Sequence, residues 1–330
     1  MLNLDTTMFE FGELTSYVNR QPFKPGLAGT LFQNNTSGIS VTTALIDQQD
    51  GVLEIVNDVA RGSAPQQATA PSRQAPVALV AKHMPLERVI NASDFQGVRV
   101  LGSDNELETL ESVRNRYLDQ MLAAHAITLE QQRVDAIKGT LTNSATGPVD
   151  LYAKFGKSRI EVEMELDTAG VIARDRVIDF VEAAEEELGA LSVDGYDVIC
   201  GTQFFRSLVE HKSVKESFAR WQEGAALRGD MRSGFSFAGA NFVAYRGSIG
   251  GQKIIGDHEA YVCPRADIYN TRFSPADMVE AANTIGLPSY SKAEEMPYGR
   301  GIKLLVESNP ISWVSRPQAI IKLHRHKAPA

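Results

Sequence analysis

A two-faced run of apolar and polar positions stands out first at Gly51–Ala60 (GVLEIVNDVA). Val52, Glu54, Val56 and Asp58 share one face there, and Leu53, Ile55, Asn57 and Val59 the other. A period of two is the mark of a strand. Pro76–Met84 (PVALVAKHM) is a second β-branched run, and residues 61–75 between them are rich in Ala, Ser, Gln and Pro. Together they predict a long two-stranded ribbon with an irregular tip. An isolated ribbon is marginal in water, so this one must lean on something else. A hairpin folded back on its own domain would satisfy the same pattern.

A different period runs through Asn105–Lys138. Leu107, Leu110, Val113, Tyr117, Leu118, Met121, Ala124, Ile127, Val134 and Ile137 recur at spacings of mostly three and four, with charges between them. Ser103 or Asp104 can cap the start and Gly139 the end. Such a helix would be about 51 Å long at about 1.5 Å per residue, far beyond the usual globular length. Something in the molecule needs a spar.

Downstream, short strands are predicted at Val149–Phe155 and Arg159–Leu166. An amphipathic helix is expected at Ala173–Leu191, with Val177, Val181, Ala184 and Leu188 inward. Asp197–Cys200 reads as a buried strand, and Thr202–Glu210 and Ser213–Trp221 as helices. Residues 235–262 read as antiparallel β-structure with glycine turns, and Gly301–Glu307 and Ala319–His324 as closing strands. The class is α+β, without regular βαβ alternation or internal repeats. Residues 1–40 differ: Pro22, Pro25, Gly26, Gly29, Asn34 and Asn35 interrupt isolated aromatics at Phe9, Phe11, Tyr17, Phe23 and Phe32. Such a segment cannot fold alone, yet its aromatics need burial. An arm lying on a neighbouring surface meets both conditions.

Composition narrows the function. The 330 residues are 43% hydrophobic and 22% charged, so wholesale disorder is excluded. A net charge of −8 argues against a sequence-wide grip on nucleic acid. Cys200 and Cys263 form no paired-cysteine motif and fit a reducing compartment. The opening MLNLDTTMFEFGEL lacks the basic flank and apolar run of a secretory signal, and no apolar run is long enough for a membrane span.

No catalytic constellation assembles in the sequence. His83, His125, His211, His258, His324 and His326 form no metal-binding helical motif, and the HRH of the tail sits among basic residues. Gly234-Phe235-Ser236-Phe237-Ala238 imitates a nucleophile elbow, but a β-stretch follows Ser236 where the elbow needs a helix. Gly247–Gly251 lacks the lysine and helix of a phosphate cradle and reads as a hairpin turn. The acids of residues 182–187 fall on a solvent face. Trp221 and Trp313 read as core or interface. No catalytic, cofactor-binding or metal residue is expected.

The order of parts (arm, ribbon, spar, α+β lobe, closing strands) resembles the lambda-type major capsid protein family of tailed phages. The resemblance is carried by Gly51–Met84, Asn105–Leu141, residues 198–218 (VICGTQFFRSLVEHKSVKESF), residues 274–292 and residues 299–323. Its most specific stretch holds Glu307-Ser308-Asn309-Pro310 and Arg316-Pro317; its weakest part precedes residue 40. The family implies the Hong Kong 97-type fold. Residues 1–40 would be the N-terminal arm and 41–90 the extended loop. Residues 91–169 and 296–330 would form a peripheral domain around a spine helix at 105–138, and residues 170–295 an axial domain. It also implies hexamers and pentamers in an icosahedral shell around double-stranded DNA, with portal, scaffold and decoration proteins as partners. No long helical pro-region precedes the arm, so a separate scaffold is expected. Some relatives cross-link a ribbon lysine to a distant asparagine. Lys82, the ribbon's sole lysine, lies away from the tip, so no such bond is expected. The rival readings are an encapsulin-type nanocompartment and a serine hydrolase using Ser236.

Overall fold

The structure, a computed structural model, describes residues 11–20, 26–46, 49–50, 72–73, 76–94, 96, 109–141, 147–168, 170–189, 191–220, 234–249 and 252–326. The chain opens with two helices, α1 (Phe11–Arg20) and α2 (Leu27–Phe32), and a short strand β1 (Thr36–Gly38). Burial in trans was expected for this arm; instead its described apolar residues pack in cis. Leu14 and Val18 of α1 are buried, and Phe11 stacks on Tyr290 at 6.2 Å between ring centroids. Ala28 and Phe32 of α2 are fully buried, with the Phe32 ring edge-on to Tyr269 at 5.2 Å. The reason is local. Glu130 accepts hydrogen bonds from the amides of Ala28 (2.8 Å) and Gly29 (2.9 Å), which fastens the first turn of α2 to the molecule's own long helix. Phe9 and Phe23 lie outside the described residues.

The ribbon follows as β2 (Thr43–Ile46), β3 (Gln49–Asp50), β4 (Ser72–Arg73) and β5 (Val77–Val80). Its register differs from the expected one. The returning strand β5 pairs with β2 (Thr43↔Val80, Ile46↔Val77) and β4 with β3, so the described partner of Val77–Val80 is Thr43–Ile46. Burying one face fixes a register, because a slip by one residue would turn every apolar side chain to the other side. Ala44, Val77 and Leu79 are the buried positions that set it. Residues 51–71, including most of the expected outgoing strand and tip, lie outside the described residues. After a three-residue joint the chain continues as β6 (Met84–Asn91) in another sheet.

The spar is α3 (Leu110–Ile137), 28 residues and about 42 Å long at about 1.5 Å per residue. It starts later than Asn105, and its cap is Thr109. The Thr109 hydroxyl accepts from Ser112 N, while Ser112 Oγ accepts from Thr109 N, a reciprocal box that closes both donors. Ser103 and Asp104 lie outside the described residues. The buried stripe is Val113, Leu118, Met121, His125, Leu129 and Gln132, whereas Ala124 and Ile127 are exposed, contrary to expectation. Gly139 (φ +74°) ends the helix; a side chain there would run into the Tyr152 ring.

Strands β7 (Thr140–Leu141) and β8 (Val149–Asp150) pair, and α4 (Leu151–Lys154) replaces the strand expected through Phe155. Asp150 explains the change: its carboxylate accepts from Tyr152 N at 2.9 Å, starting a helical turn. The lobe beyond comprises β9 (Glu161–Glu163), α5 (Ala173–Leu188), β10 (Tyr196–Cys200), α6 (Thr202–Glu210), α7 (Lys212–Arg220), β11 (Phe235–Phe237) and β12 (Ala240–Ala244). A small hairpin of β13 (Ser248–Ile249) and β14 (Gln252–Lys253) precedes β15 (Glu259–Pro264) and β16 (Tyr269–Phe273). The chain closes with β17 (Tyr290–Glu295), β18 (Gly301–Ser308), β19 (Pro310–Val314) and β20 (Ile321–His324).

The largest sheet runs β11-β12-β10-β15-β20-β9. It is mixed: β10 pairs with β12 in parallel, which corrects the purely antiparallel expectation for residues 235–262. Phe180, Phe204, Val198, Phe242, Val262 and Leu323 fill the core that α5 and α6 share with it. Two three-stranded sheets, β17-β18-β6 and β1-β16-β19, lie along α3. Strand membership does not follow the boundary drawn at residue 296. The last strand β20 sits in the large sheet, and β17 pairs with β18. Hydrophobic demand decides this: Ile321 and Leu323 are fully buried between β15 and β9.

Candidate functional site

The chemistry weighed in the sequence does not converge in space. Ser236 faces solvent in the middle of β11, opposite Asn241, and a two-residue turn leads directly into β12, so no helix follows it. Gly247 and Ser248 enter the β13–β14 hairpin, as expected. Glu182, Glu185 and Glu186 are exposed on α5. Cys200 and Cys263 are free and buried on neighbouring strands, and burial pushes both thiols well above the ordinary range, which keeps them unreactive. His324 meets Glu161 at 2.8 Å, and His326 contacts Asp167. Among the described residues, no group of three His, Cys, Asp or Glu side chains could hold a metal ion, and no helix is long and apolar enough to cross a membrane. Trp313 is a core residue beneath the Arg272 guanidinium, 5.6 Å from its ring. Trp221 lies outside the described residues.

What does converge is the root of the ribbon, on Glu307-Ser308-Asn309-Pro310. The Glu307 side chain is 3% exposed. Its Oε1 accepts from Asp277 N (2.8 Å) and Asn309 Nδ2 (2.7 Å), and lies 3.2 Å from His83 Nδ1. Asn309 also donates to Pro275 O (2.8 Å), and its carbonyl accepts from Ser274 N (2.9 Å). Ser308 Oγ donates to Pro288 O (2.7 Å). Pro310 O accepts from Lys82 N (3.1 Å) and from Gln132 Nε2 of α3 (3.1 Å). Four residues at one β18–β19 corner thereby bind the ribbon, the spar and the turn after β16. Lys82 is half-buried there, and desolvation, opposed by Asp135, lowers its pKa. His125 of α3 is buried beside the same carboxylate. Sequence reading missed the roles of His125 and Gln132; both lie seven residues apart on the apolar stripe of α3, where a polar residue needs a partner.

The ribbon root has two apolar faces. One packs on the chain's own core through Ala44, Val77 and Leu79. The other carries Leu45 (69% exposed) and Val80 (60%), with Val41 (56%) just before β2. Ile285 and Leu287, also exposed, adjoin it, because Gly286 N donates to Ile39 O (3.0 Å) and Ser274 Oγ donates to Val41 O (2.7 Å). Beside this face, β2 and the strands β16 and β19 border a groove of about 390 Å³ lined by Ile39, Val41, Leu45, Arg272 and Trp313. A contiguous apolar surface of this kind marks a protein contact.

Comparison with known proteins agrees with this picture. The family model described as Phage major capsid protein E matches residues 10–325. The major capsid protein of Pseudomonas phage KPP10 is 29% identical over 343 residues, covering 95% of this chain and 96% of that one. That of Salmonella phage Felix O1 is 23% identical over 358 residues, covering 97% of each. Among solved structures, the capsid of Cyanophage P-SCSP1u superposes with a TM-score of 0.54 at 16% identity, covering 90% of this chain and 87% of that one. The mature capsid of bacteriophage PhiM1 gives 0.53 at 13%, with the same coverage. The fold is therefore that of tailed-phage capsid proteins, α+β of the Hong Kong 97 type. With the family's pattern running through all but the two ends of the sequence, the chain belongs to the Phage major capsid protein E family.

Proposed function

We propose that the chain is the shell subunit of a tailed-phage head, assembling as hexamers and pentamers into an icosahedral capsid around double-stranded DNA and acting through surfaces, without catalysis. The observation that carries this is the two-faced ribbon root. A ribbon buried on one side and bare on Val41, Leu45 and Val80 is half of an interface. Its other half is a neighbouring copy, since closed shells repeat one contact around symmetry axes. The family membership and the relatives' names support the same reading. The six-stranded sheet with α5 and α6 is the heart of the axial domain, pointing to the centre of each capsomer, and α3 with its flanking sheets belongs to the peripheral domain. Portal, scaffold and decoration proteins are the expected partners. A net charge of −8 limits adhesion of packaged DNA to the wall.

The test is Leu45→Asp combined with Val80→Asp. Both side chains point to solvent in the isolated subunit, so its stability should change by only about 0.5 kcal/mol, while electron micrographs should show no closed particles. Normal shells from this variant would remove the ribbon root from the assembly. Ser236→Ala, by contrast, should leave particle yield unchanged.

A further inference from the structure

The turn between β17 and β18 holds a side chain that its backbone disfavours. Tyr298 (φ +66°) and Gly299 (φ +62°) both lie in the left-handed region. A tight hairpin turn with two such residues takes Asn-Gly by preference, and a bulky residue in the first position is strained. The turn's own backbone imposes the strain, since Met296 N donates to Gly301 O (2.8 Å) and Gly299 N to Met296 O (3.1 Å). Within the subunit the ring is left bare. Tyr298 is 94% exposed, and among the described residues no other aromatic residue is exposed. Its ring meets the Arg300 guanidinium, 5.7 Å from the ring centre. Strain retained without a local gain points to a use outside the subunit. Tyr and Arg are also among the residue types that anchor protein contacts.

We infer that Tyr298 is an anchor between copies, seated in the groove that β2, β16 and β19 border on a neighbouring subunit. The inference rests on the shell reading, which supplies the neighbour. A buried tyrosine needs apolar walls for its ring and a polar partner for its hydroxyl. The groove, about 390 Å³, offers Val41, Leu45 and Trp313 for the ring, with Asn270 and Ser315 among its polar lining. Charge fits as well. Asp267 is the carboxylate of that lining, and it would receive the Arg300 that stands beside the ring, an opposite charge across the contact.

The chain cannot fill its own groove with this turn. Strand β18 leads away from the turn for eight residues, about 26 Å at about 3.3 Å each. It follows α3 as it goes: Ile302 shares a core cluster with Val113 and Met121, Glu307 faces His125, and Pro310 meets Gln132. The groove lies past that corner, where Trp313 shares its cluster with Val134 and Ile137. Knob and groove thus sit towards opposite ends of the spar. Such an arrangement makes a head-to-tail contact, the kind that a ring of copies repeats until it closes.

The experiment pairs two variants with a cross-link, all in the full chain. Tyr298→Asn gives the turn its preferred pair and removes the ring, whereas Tyr298→Phe keeps the ring. The unassembled Tyr298→Asn subunit should have a urea midpoint equal to or above that of the wild type. Its yield of closed particles in electron micrographs should nevertheless fall about ten-fold or more, as for the loss of a central anchor. Tyr298→Phe should still form shells. Independently, p-benzoylphenylalanine in place of Tyr298, in particles mixed from light and heavy-isotope subunits, should on illumination cross-link to residues 39–46, 267–272 or 313–315 of another copy. Shells at wild-type yield from Tyr298→Asn, a lowered midpoint in that variant, or cross-links confined to other segments would overturn the seat. Those results leave the shell reading standing; a wild type that forms no particles sinks the shell reading itself.

Discussion

Desolvating a carboxylate costs several kcal/mol unless donors replace the lost water, and Glu307 shows how this chain meets that cost. Two donors, Asp277 N and Asn309 Nδ2, point at one oxygen from two different segments, and a third group, His83, closes over them. Glu307→Ala would take the shared acceptor from Asp277 N and from Asn309 Nδ2, which keeps only its bond to Pro275 O, and an unmet buried donor costs about 1–3 kcal/mol. The unassembled subunit should therefore melt as if destabilised by about 1–3 kcal/mol, with Glu307→Gln milder; an unchanged melting curve would mean the corner is not knotted through this side chain. His125 supplies a pH prediction of definite sign. Burial, the larger influence, lowers its pKa from the ordinary value of about 6.5, and Glu307 opposes that shift. The unfolded chain then takes up a proton before the folded one. Stability from a neutral His125 is complete above about pH 6.5 and is lost as pH falls below it. His125→Leu should shrink the acid-side loss, so the urea midpoints of wild type and variant should converge, or cross, between about pH 8 and pH 5. Parallel curves would show that His125 is not the group responsible.

At the scale of elements, the helix α2 has only six residues, too few to form without tertiary support. Its supports are Glu130 at the first turn and Phe32 in the core. Burial raises the pKa of Glu130 even though the two amides pull it down, so this contact is made at a desolvation cost. Glu130→Ala should free those amides and cost about 0.5–2 kcal/mol, seen as faster exchange at Ala28 and Gly29; unaltered exchange there would place the anchor elsewhere. Leu118→Asp would set an unpaired charge under α3 at a fully buried position and should abolish folding, readable as loss of soluble protein; a soluble, folded variant would show that α3 is not packed along this stripe. These elements also show what was legible beforehand. The period of α3 was written in Val113, Leu118 and Met121, and Thr202–Glu210 emerged with the bounds expected of it. The start of α3 was not, because Leu107 continued the apolar period and only the Thr109–Ser112 exchange stops it. Strand β6 was invisible for another reason. MPLERVIN carries a proline and two charges, tolerable because β6 is the edge of its sheet, a fact of tertiary order. The arm was misread through the same gap: nothing in LAGTLF announces a partner at Glu130, about a hundred residues away. The ribbon root announced its apolar run but not which face would stay bare, since register settles that.

At the scale of the whole molecule, the ribbon root is tied to the molecule's own core, whereas its other face leaves Leu45 and Val80 exposed among the described residues. Folding and assembly should therefore be separable by cutting the chain between them. Asp50 faces Ser72 across the ribbon, so the intervening residues can be replaced by Asn-Gly, the pair suited to a two-residue hairpin turn. Among the described residues, the contacts that root the ribbon lie outside the excised stretch: Ala44, Val77, Leu79, Lys82 N to Pro310 O, and His83 to Glu307. The shortened chain should keep its urea midpoint, and its loop-closure entropy should improve slightly, by well under about 2 kcal/mol. What it loses is the outgoing run Gly51–Ala60 and the tip, the part of the ribbon expected from the sequence to meet a neighbouring copy. Electron microscopy should show folded subunits and few closed shells. Shells of normal yield and size would mean that the arm, the exposed root face and the lobes suffice to bind the copies together, and the ribbon would be a passenger in the particle.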